Sequence, residues 1–431
     1  MWTSSLKLAA VTTAIALLSL VTGAACGGEE APRTATPTPS PEATPAATAT
    51  PQATAKPTPT PTPVEYPPKV SLTERGVYLM RPDGTDLRHL TAGEEARYRS
   101  SWSPDGSRIA VAANGGDGRR VSVIGVDGAA ELTVFDGSGW GPEWWIGTPL
   151  WSPDGQQLAV PAGPYGEAAG WHTYLVNADG SGEPIDLFEG LPEEWSPDGG
   201  ALAFVEYSEK GIALKTFDAE TAAVAVIERG VGLNSFAWSP DSQQMAYTIQ
   251  PRLPAFDELV IIDRDGWNRR VIAERGSDPE WSPDGKYLAF VGPGGWVTVA
   301  EVSTSAEPVP LAPGGVLGWS PAGDTILIWH KPSLSLVSLA THQAIETIDV
   351  TGDVLLTGQV RLSPDGQRVT FAGCEPSPPS PCPYPGDLFV ANADGTGLEK
   401  LVRPSTGIPW GPEWSPDGRY IAFVDGRTQI S

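Results

Sequence analysis

The chain has 431 residues, of which 49 are Gly and 44 are Pro, so more than a fifth of its positions disfavour continuous helix. Its 28 basic and 52 acidic residues give a net charge of −24, which repels the phosphate backbone of nucleic acids. With 40% hydrophobic residues and 16 Trp, the chain is too apolar to be disordered throughout. Composition therefore excludes a helix bundle and argues against nucleic acid as a partner.

The first residues have the pattern of an export signal. An apolar run from Leu8 to Val21 is shorter than the roughly 20 residues that span a bilayer. It leads to Gly23-Ala24-Ala25-Cys26, which resembles a bacterial lipobox, although Gly23 stands where that motif usually has Leu. We expect a signal peptide over residues 1–25 and lipidation at Cys26. The lipid would be the only part of the protein in contact with the membrane. Ordinary signal cleavage and secretion is the alternative.

A biased segment separates this signal from the rest of the chain. Residues 31–64 contain ten Pro, ten Thr and eight Ala, a composition that cannot form a core and favours extended polyproline II. We assign residues 26–70 to a disordered linker. It would hold the following domain away from a membrane.

The remainder repeats one motif eight times. The motif is Trp-Ser-Pro-Asp-Gly followed by a strand that alternates large and small apolar residues, as in the copy that begins at Trp102. Three copies are altered, with Ser242 for Gly, Ala322 for Asp and Leu362 for Trp. The spacings of 38 to 52 residues indicate a repeat architecture. The Ser positions are Ser103, Ser152, Ser196, Ser239, Ser282, Ser320, Ser363 and Ser415.

Each repeat predicts one four-stranded antiparallel sheet. Ser-Pro-Asp-Gly suits a type I turn between two inner strands, and a second hairpin with its own Asp-Gly turn follows, as at Asp179-Gly180. The chain begins with an outer hairpin near Val77 and ends with an inner one after Trp414. Pairing these two hairpins would complete an eighth blade. We therefore predict an all-β, single eight-bladed β-propeller over residues 71–431, closed by its N- and C-terminal segments.

The repeated motif resembles that of TolB-like propellers, a WD40-like repeat, over about Ser71 to Gly426. The resemblance implies the propeller fold and says little about activity, because such propellers serve as scaffolds in many settings. TolB carries a further domain ahead of its propeller, whereas here the Pro/Thr linker occupies that place. A direct TolB role is therefore not implied.

Loop length points to one face of the predicted ring. The turns within hairpins are short, whereas the long insertions fall in loops between second and third strands or between blades. On that face we consider Trp140, Trp144, Trp145 and Trp410 as an aromatic platform for sugar or peptide. The alternative is that these rings pack over neighbouring loops.

Three carboxylates and two cysteines complete the candidate residues. Glu194, Glu280 and Glu413 each precede a motif Trp, so they either rim the central channel and attract a cation or basic peptide, or are solvated loop carboxylates. Cys374 and Cys382 bracket a Pro/Ser-rich loop, which in an exported protein favours a structural disulfide.

Catalytic signatures are absent from the sequence. It contains no Gly-x-Ser-x-Gly elbow, no His-Glu-x-x-His helix motif and no phosphate-binding loop, and its four His have no metal-ligand spacing. We expect a monomeric binding module without cofactor or metal, located in a bacterial cell envelope, that recognises an envelope protein, peptide or glycan. The alternative is an extracytoplasmic hydrolase or lyase with a site at the channel mouth.

Overall fold

The computed structural model describes residues 68–72, 74, 76–91, 97–115, 118–128, 131–141, 143–167, 169–209, 211–230, 232–250, 257–304, 306–330, 333–349, 354–375, 386–404 and 410–425. The predicted signal peptide, Cys26, Cys382 and most of the predicted linker lie outside these ranges. The described residues contain strands and turns, and no helix among them has the length and hydrophobicity to cross a membrane.

The strands form eight sheets, which we number as blades in chain order. The first three blades comprise β4 (Arg97–Trp102), β5 (Arg108–Gly115), β6 (Gly118–Gly125) and β7 (Leu132–Asp136); β8 (Trp144–Ile146), β9 (Leu150–Trp151), β10 (Gln157–Pro164), β11 (His172–Asn177) and β12 (Ile185–Glu189); and β13 (Leu191–Trp195), β14 (Ala201–Ser208), β15 (Gly211–Asp218) and β16 (Val224–Gly230). In blade 2, β8 and β9 share the place of the inner strand, because both pair with β10.

Blades 4 to 6 are continuous and antiparallel. They comprise β17 (Gly232–Trp238), β18 (Gln244–Gln250), β19 (Glu258–Asp263) and β20 (Arg270–Ala273); β21 (Ser277–Trp281), β22 (Tyr287–Gly292), β23 (Trp296–Glu301) and β24 (Val309–Pro313); and β25 (Gly315–Trp319), β26 (Thr325–His330), β27 (Ser333–Ser338) and β28 (Gln343–Asp349).

Blades 7 and 8 bring the two parts of the chain together. They comprise β29 (Leu355–Leu362), β30 (Arg368–Cys374), β31 (Asp387–Asn392) and β32 (Glu399–Arg403), with β1 (Val70–Ser71) at the edge; and β33 (Trp410–Trp414), β34 (Ile421–Asp425), β2 (Gly76–Met80) and β3 (Arg88–His89). In blade 8, β34 pairs antiparallel with β2 from Gly76↔Asp425 to Met80↔Ile421. The predicted eight-bladed fold and its closure by the two terminal hairpins are confirmed.

One strand was not foreseen. Val70 and Ser71 pair in parallel with Val402 and Arg403, so β1 adds a fifth strand to the outer edge of blade 7. Lys69 supports this strand, because its Nζ lies 2.8 Å from a Glu399 carboxylate oxygen. A two-residue pairing leaves no periodicity to detect, and its partner is about 330 positions away in the sequence.

The blades pack face to face through large and small residues. Ala110 and Ala112 of blade 1 form one core cluster with Leu158 and Val160 of blade 2, and all four are fully buried. Small residues on one sheet leave room for large ones on the next. Burying each large apolar side chain contributes about 1.5–3 kcal/mol. Blades 3 and 4 repeat this arrangement, with Ala201 and Ala203 against Met245 and Tyr247.

The motif turn is held by the same backbone hydrogen bonds in all eight copies. In the first copy, the backbone N–H of Gly106 donates to the carbonyl oxygen of Ser103 at 2.9 Å. Ser103 Oγ donates to Asp105 Oδ1 at 2.6 Å and accepts from the backbone N–H of Arg108 at 2.9 Å. In the sixth copy, where Ala322 replaces the Asp, Asp324 Oδ1 accepts from the motif Ser at 2.7 Å instead.

The fourth position of this turn requires a left-handed backbone. The seven motif glycines have φ between +69° and +72°, and Ser242, which replaces Gly in the fourth copy, has φ of +62°. Glycine adopts this region without a steric cost. The sequence pattern therefore records a backbone constraint.

The motif Trp joins neighbouring blades. In five copies the indole Nε1 donates to the carbonyl oxygen of the residue that precedes the motif in the previous blade, at 3.1–3.4 Å. One of these bonds runs from Trp102 of blade 1 to Glu413 of blade 8. It links the first complete blade to the last one and so closes the ring. These Trp are Trp102, Trp151, Trp238, Trp281 and Trp414.

Candidate functional site

The two ends of the strands form different faces. The short-turn face carries the eight motif turns and the turns between third and fourth strands. The long-loop face carries the connections between second and third strands and those between blades. The connection from Asp136 to Trp144 and the turn around Tyr165 lie on the long-loop face, where the backbone N–H of Tyr165 donates to the Glu143 carbonyl oxygen at 2.6 Å.

Trp140 is packed between blades 1 and 2. Its ring centroid lies 5.5 Å from that of Phe135 and 6.0 Å from that of Tyr174, and it packs against the core cluster shared by the two blades. Trp144 lies 5.1 Å from Trp140 between ring centroids, and both rings are half-buried. Trp140 therefore contributes to inter-blade packing while one part of its surface stays accessible.

Trp145 belongs to a second aromatic pair. Successive side chains of a strand point to opposite sides, so Trp144 and Trp145 of β8 diverge. Trp145 lies 5.0 Å from Tyr165 between ring centroids, and Tyr165 is 54% exposed. The three Trp of this segment therefore form two patches rather than one continuous platform. We call Trp145 and Tyr165 the outer aromatic pair.

Trp410 does not lie in a loop equivalent to that of Trp140. Although the sequence Trp-Gly-Pro-Glu-Trp occurs twice, Trp140 lies between strands, whereas Trp410 begins the inner strand β33 and pairs with Val424. The side chain of Trp410 is not among those described. In blade 8 the motif Trp414 comes four residues after Trp410. In blade 2 the motif Trp151 comes much later after Trp140, so the two similar sequences occupy different places in their blades.

The carboxylate of Glu194 has a structural contact. Its Oε2 accepts a hydrogen bond from the backbone N–H of Trp238 at 3.2 Å, and its carbonyl oxygen accepts the indole N–H of the same residue. Glu194 thus joins blade 3 to blade 4 at two points. This contact was not foreseen, because the sequence shows the carboxylate without showing which backbone group it meets.

Glu280 and Glu413 face a residue that sequence reasoning missed. Arg361 precedes Leu362 in the seventh copy, at the position that Glu occupies in the third, fifth and eighth. Burial lowers the pKa of Arg361, and the charges of Glu413 and Glu280 oppose that effect. Because these residues belong to blades 7, 8 and 5, their side chains converge on the ring axis. The detectable signal was a basic residue at a position that is acidic in three other copies.

The environment of Glu413 favours its neutral form. Burial raises its pKa to about 7, while Arg361 acts in the opposite direction. Burial likewise raises the pKa of Glu193 to about 7, and this carboxyl in turn adds to a rise in the pKa of Tyr207. Glu413 and Glu193 are therefore partly protonated near neutral pH.

Two histidines have local polar contacts. His172 Nδ1 lies 3.1 Å from a carboxylate oxygen of Asp186, and His330 Nε2 lies 2.8 Å from Ser335 Oγ. The described residues contain no group of three His, Cys, Asp or Glu with metal-binding geometry. Cys374 at the end of β30 is disulfide-bonded.

Comparison with known sequences gives a partial relative. No protein-family model matches the chain. An uncharacterized protein of Agrobacterium fabrum is 29% identical over 165 residues, which is 35% of this chain and 50% of that protein. The chain thus spans half the length of this curated relative.

Comparison with solved structures supports the fold. The C-terminal WD40 domain of Sif2 is 14% identical, with a TM-score of 0.53 over 78% of this chain and 97% of that one. A prolyl endopeptidase is 12% identical, with a TM-score of 0.51 over 71% of this chain and 49% of that one. TolB from Acinetobacter baumannii is 15% identical over 78% of this chain and 64% of its own. Its TM-score of 0.38 is too low to support a conclusion. The expected similarity to propellers of this kind is confirmed, and it shows the fold alone.

Proposed function

We propose that this chain is an exported, lipid-anchored interaction module whose long-loop face binds an envelope protein, peptide or glycan. The observation that supports it is the outer aromatic pair, in which Tyr165 exposes 54% of its surface beside Trp145 on the long-loop face. A large exposed ring with a polar tip, next to a second ring, suits both the apolar face of a sugar and a peptide side chain.

The anchoring part of the proposal rests on Cys26. The lipobox-like sequence before it and the Pro/Thr linker after it would tether the propeller to a membrane surface. Cys26→Ser is expected to move the protein from the membrane fraction to the medium. Wild-type protein recovered soluble and unlipidated would contradict the anchoring, but it would leave the binding surface untouched.

The binding part is tested with single substitutions on the long-loop face. Tyr165→Ala is expected to weaken capture of envelope proteins or glycans by the purified chain, by about tenfold, because exposed aromatic anchors contribute most of such affinities. Its melting temperature is expected to stay unchanged because the ring is largely exposed. Trp296→Ala is the matched control, since Trp296 is 43% exposed on the same face of blade 5. If both variants bound the ligand equally well, the assignment of the site to Tyr165 would be contradicted.

A glycan array and a pull-down of envelope proteins separate the two ligand classes. Binding to sugars that disappears in Tyr165→Ala would identify a glycan-binding module. Capture of one protein, lost in the same variant, would identify a protein-interaction module. Binding that survives in Tyr165→Ala and is lost in Trp296→Ala would place the site on blade 5 and overturn the choice of surface.

A further inference from the structure

A groove on the short-turn face lies between blades 3 and 4. Its volume is about 650 Å³, whereas the corresponding cleft between blades 2 and 3 holds 190 Å³. Blade 3 contributes Ala201, Asp218 and Val224, and blade 4 contributes its motif turn and the turn that contains Asp265. The larger volume falls within the range of ligand-binding sites.

Local sequence explains why the groove is larger here. Ala201 begins the second strand of blade 3, directly after Gly200. The corresponding residues in the other seven copies are all larger. They are Arg108, Gln157, Gln244, Tyr287, Thr325, Arg368 and Tyr420. In blade 1, for example, Arg108 reaches across to the carbonyl oxygen of Gly155 in blade 2, at 2.6 Å. The small side chain of Ala201 leaves the equivalent space between blades 3 and 4 open.

Gly200 leaves room for Arg264, the one cation among the described residues that line the groove, to bridge to blade 3. A Cβ at this position would lie 2.7 Å from Arg264 Nη2, so a side chain there would displace the guanidinium. With Gly200, Arg264 Nη1 lies 2.8 Å from a carboxylate oxygen of Asp198. The charge of Arg264 is therefore already balanced by a carboxylate beside the groove.

The lining is acidic. Four carboxylates contribute to it, from Asp218, Asp241, Asp263 and Asp265, against the single guanidinium of Arg264. Asp241 and Asp265 each use Oδ1 to accept backbone N–H groups of their own turns, from Gln243 and Trp267. These bonds hold each carboxylate in place within its turn.

Apolar groups lie beside these charges. Trp267 follows Asp265 in the same turn and is 71% exposed, more than any other large hydrophobic residue among those described. Val224, which lines the groove, is 47% exposed at the outer strand of blade 3. An exposed indole binds cations through its face, and an apolar wall accommodates the aliphatic stem of a long side chain.

We propose that this groove is a second interaction surface, which binds a basic peptide segment of a partner protein through its Arg or Lys side chains. Charge selects the occupant, because four carboxylates beside one neutralised guanidinium favour a cation. The volume and the apolar side chain of Val224 in the lining favour a long side chain on a peptide over a single inorganic ion, and the exposed Trp267 belongs to the same turn as the lining residue Asp265. The surface is independent of the outer aromatic pair, which lies on the opposite face.

Fluorescence anisotropy with a labelled tetra-arginine peptide tests this proposal on the full chain at about 0.1 M salt. The groove variant is Asp218→Asn, Asp241→Asn and Asp265→Asn combined. Asn keeps the Oδ1 acceptor of each turn, so the fold is expected to persist. The matched control is Asp105→Asn, Asp179→Asn and Asp394→Asn, which removes three charges from turns on the same face of other blades.

The groove variant is expected to lose at least about tenfold in affinity, and the control less than about threefold. Trp267→Ala is expected to weaken binding without a change in melting temperature. Ala201→Gln, which restores a residue found in two other copies, is expected to block the groove. Equal losses in the two triple variants would show that the peptide senses only net charge and would overturn the proposal. Absence of wild-type binding would overturn it as well.

Discussion

The two faces of this ring follow different rules. On the short-turn face, one set of hydrogen bonds recurs eight times, and substituted copies restore it, as Asp324 does where Ala322 replaces the motif Asp. On the long-loop face, the connections vary in length, from the single Gly190 between β12 and β13 to the seven residues between β7 and β8, and aromatic residues collect at blades 1 and 2. Repetition on one face thus reports what the fold needs, and variation on the other reports where the chain is free to acquire a binding surface.

The largest expected effect comes from opening the ring on which both faces depend. Deletion of residues 75–91 removes β2 and β3, which leaves β34 without the partner that it pairs with over five residues. The free energy of unfolding is expected to fall by more than about 4 kcal/mol, and the variant is expected to aggregate through the exposed strand edge. Denaturant unfolding measures it. A deletion variant that melts like the wild type would show that the two terminal hairpins do not share a blade.

A single serine on the short-turn face is expected to matter more than one on the long-loop face. Ser196 is fully buried, and its Oγ donates to Asp198 and accepts from the backbone N–H of Ala201. Ser196→Ala leaves that buried N–H without its partner and is expected to cost about 1–3 kcal/mol. Ser208→Ala, at an exposed turn of the same blade, is the control. If Ser196→Ala and Ser208→Ala lowered the free energy of unfolding by equal, small amounts, the difference between the two faces would be contradicted.

The short-turn face also predicts how acid unfolds the protein. A hydrogen bond from Ser103 lowers the pKa of Asp105 to about 2, and Lys286 and Ser282 lower that of Asp284 to about 2. Because these folded-state values lie below the unfolded value of about 3.9, the carboxylates stabilise the fold above pH 4. That contribution is lost as pH falls toward 2. A thermal-melting series over this interval checks it, and a flat profile would contradict it.

A further pH effect concerns the ring axis and has the opposite sign. The pKa of Glu413 is about 7 in the fold against an ordinary value of 4.5, so the folded protein binds an extra proton between these values. Its contribution to stability is therefore lost as pH rises from about 4.5 to 7. Glu413→Gln is expected to flatten the decline in melting temperature between pH 5 and 8, whereas the exposed Glu143→Gln leaves it unchanged. Parallel profiles for wild type and Glu413→Gln would refute this.

Sequence predicted the fold well, because the motif encodes local geometry. Pro104, Asp105 and Gly106 define a turn within five residues, and the strand after them reveals its two buried faces by alternation. The count of hairpins then implied the shared blade. All of this information lies within single repeats or in their number.

The candidate site was harder to predict, because it depends on contacts between repeats. Glu194 meets the backbone of Trp238, and Arg361 approaches carboxylates from two other blades, and neither contact follows from spacing along the chain. The groove beside Ala201 arises from a small residue where the other copies have larger ones. That signal is visible once the repeats are aligned, but the side chains it exposes belong to the next blade.

The shared eighth blade also sets an order of events in time. β2 is among the first strands of the propeller to be made, yet the strand it pairs with, β34, lies some 345 residues later in the chain. Contacts of such long sequence separation form slowly, because a large loop must close before any stabilisation is gained. Seven blades can therefore assemble while Val77 and Leu79 still lack their partners on β34. A chaperone or a protease would find these residues exposed during that interval, and once the last strand docks they become fully buried.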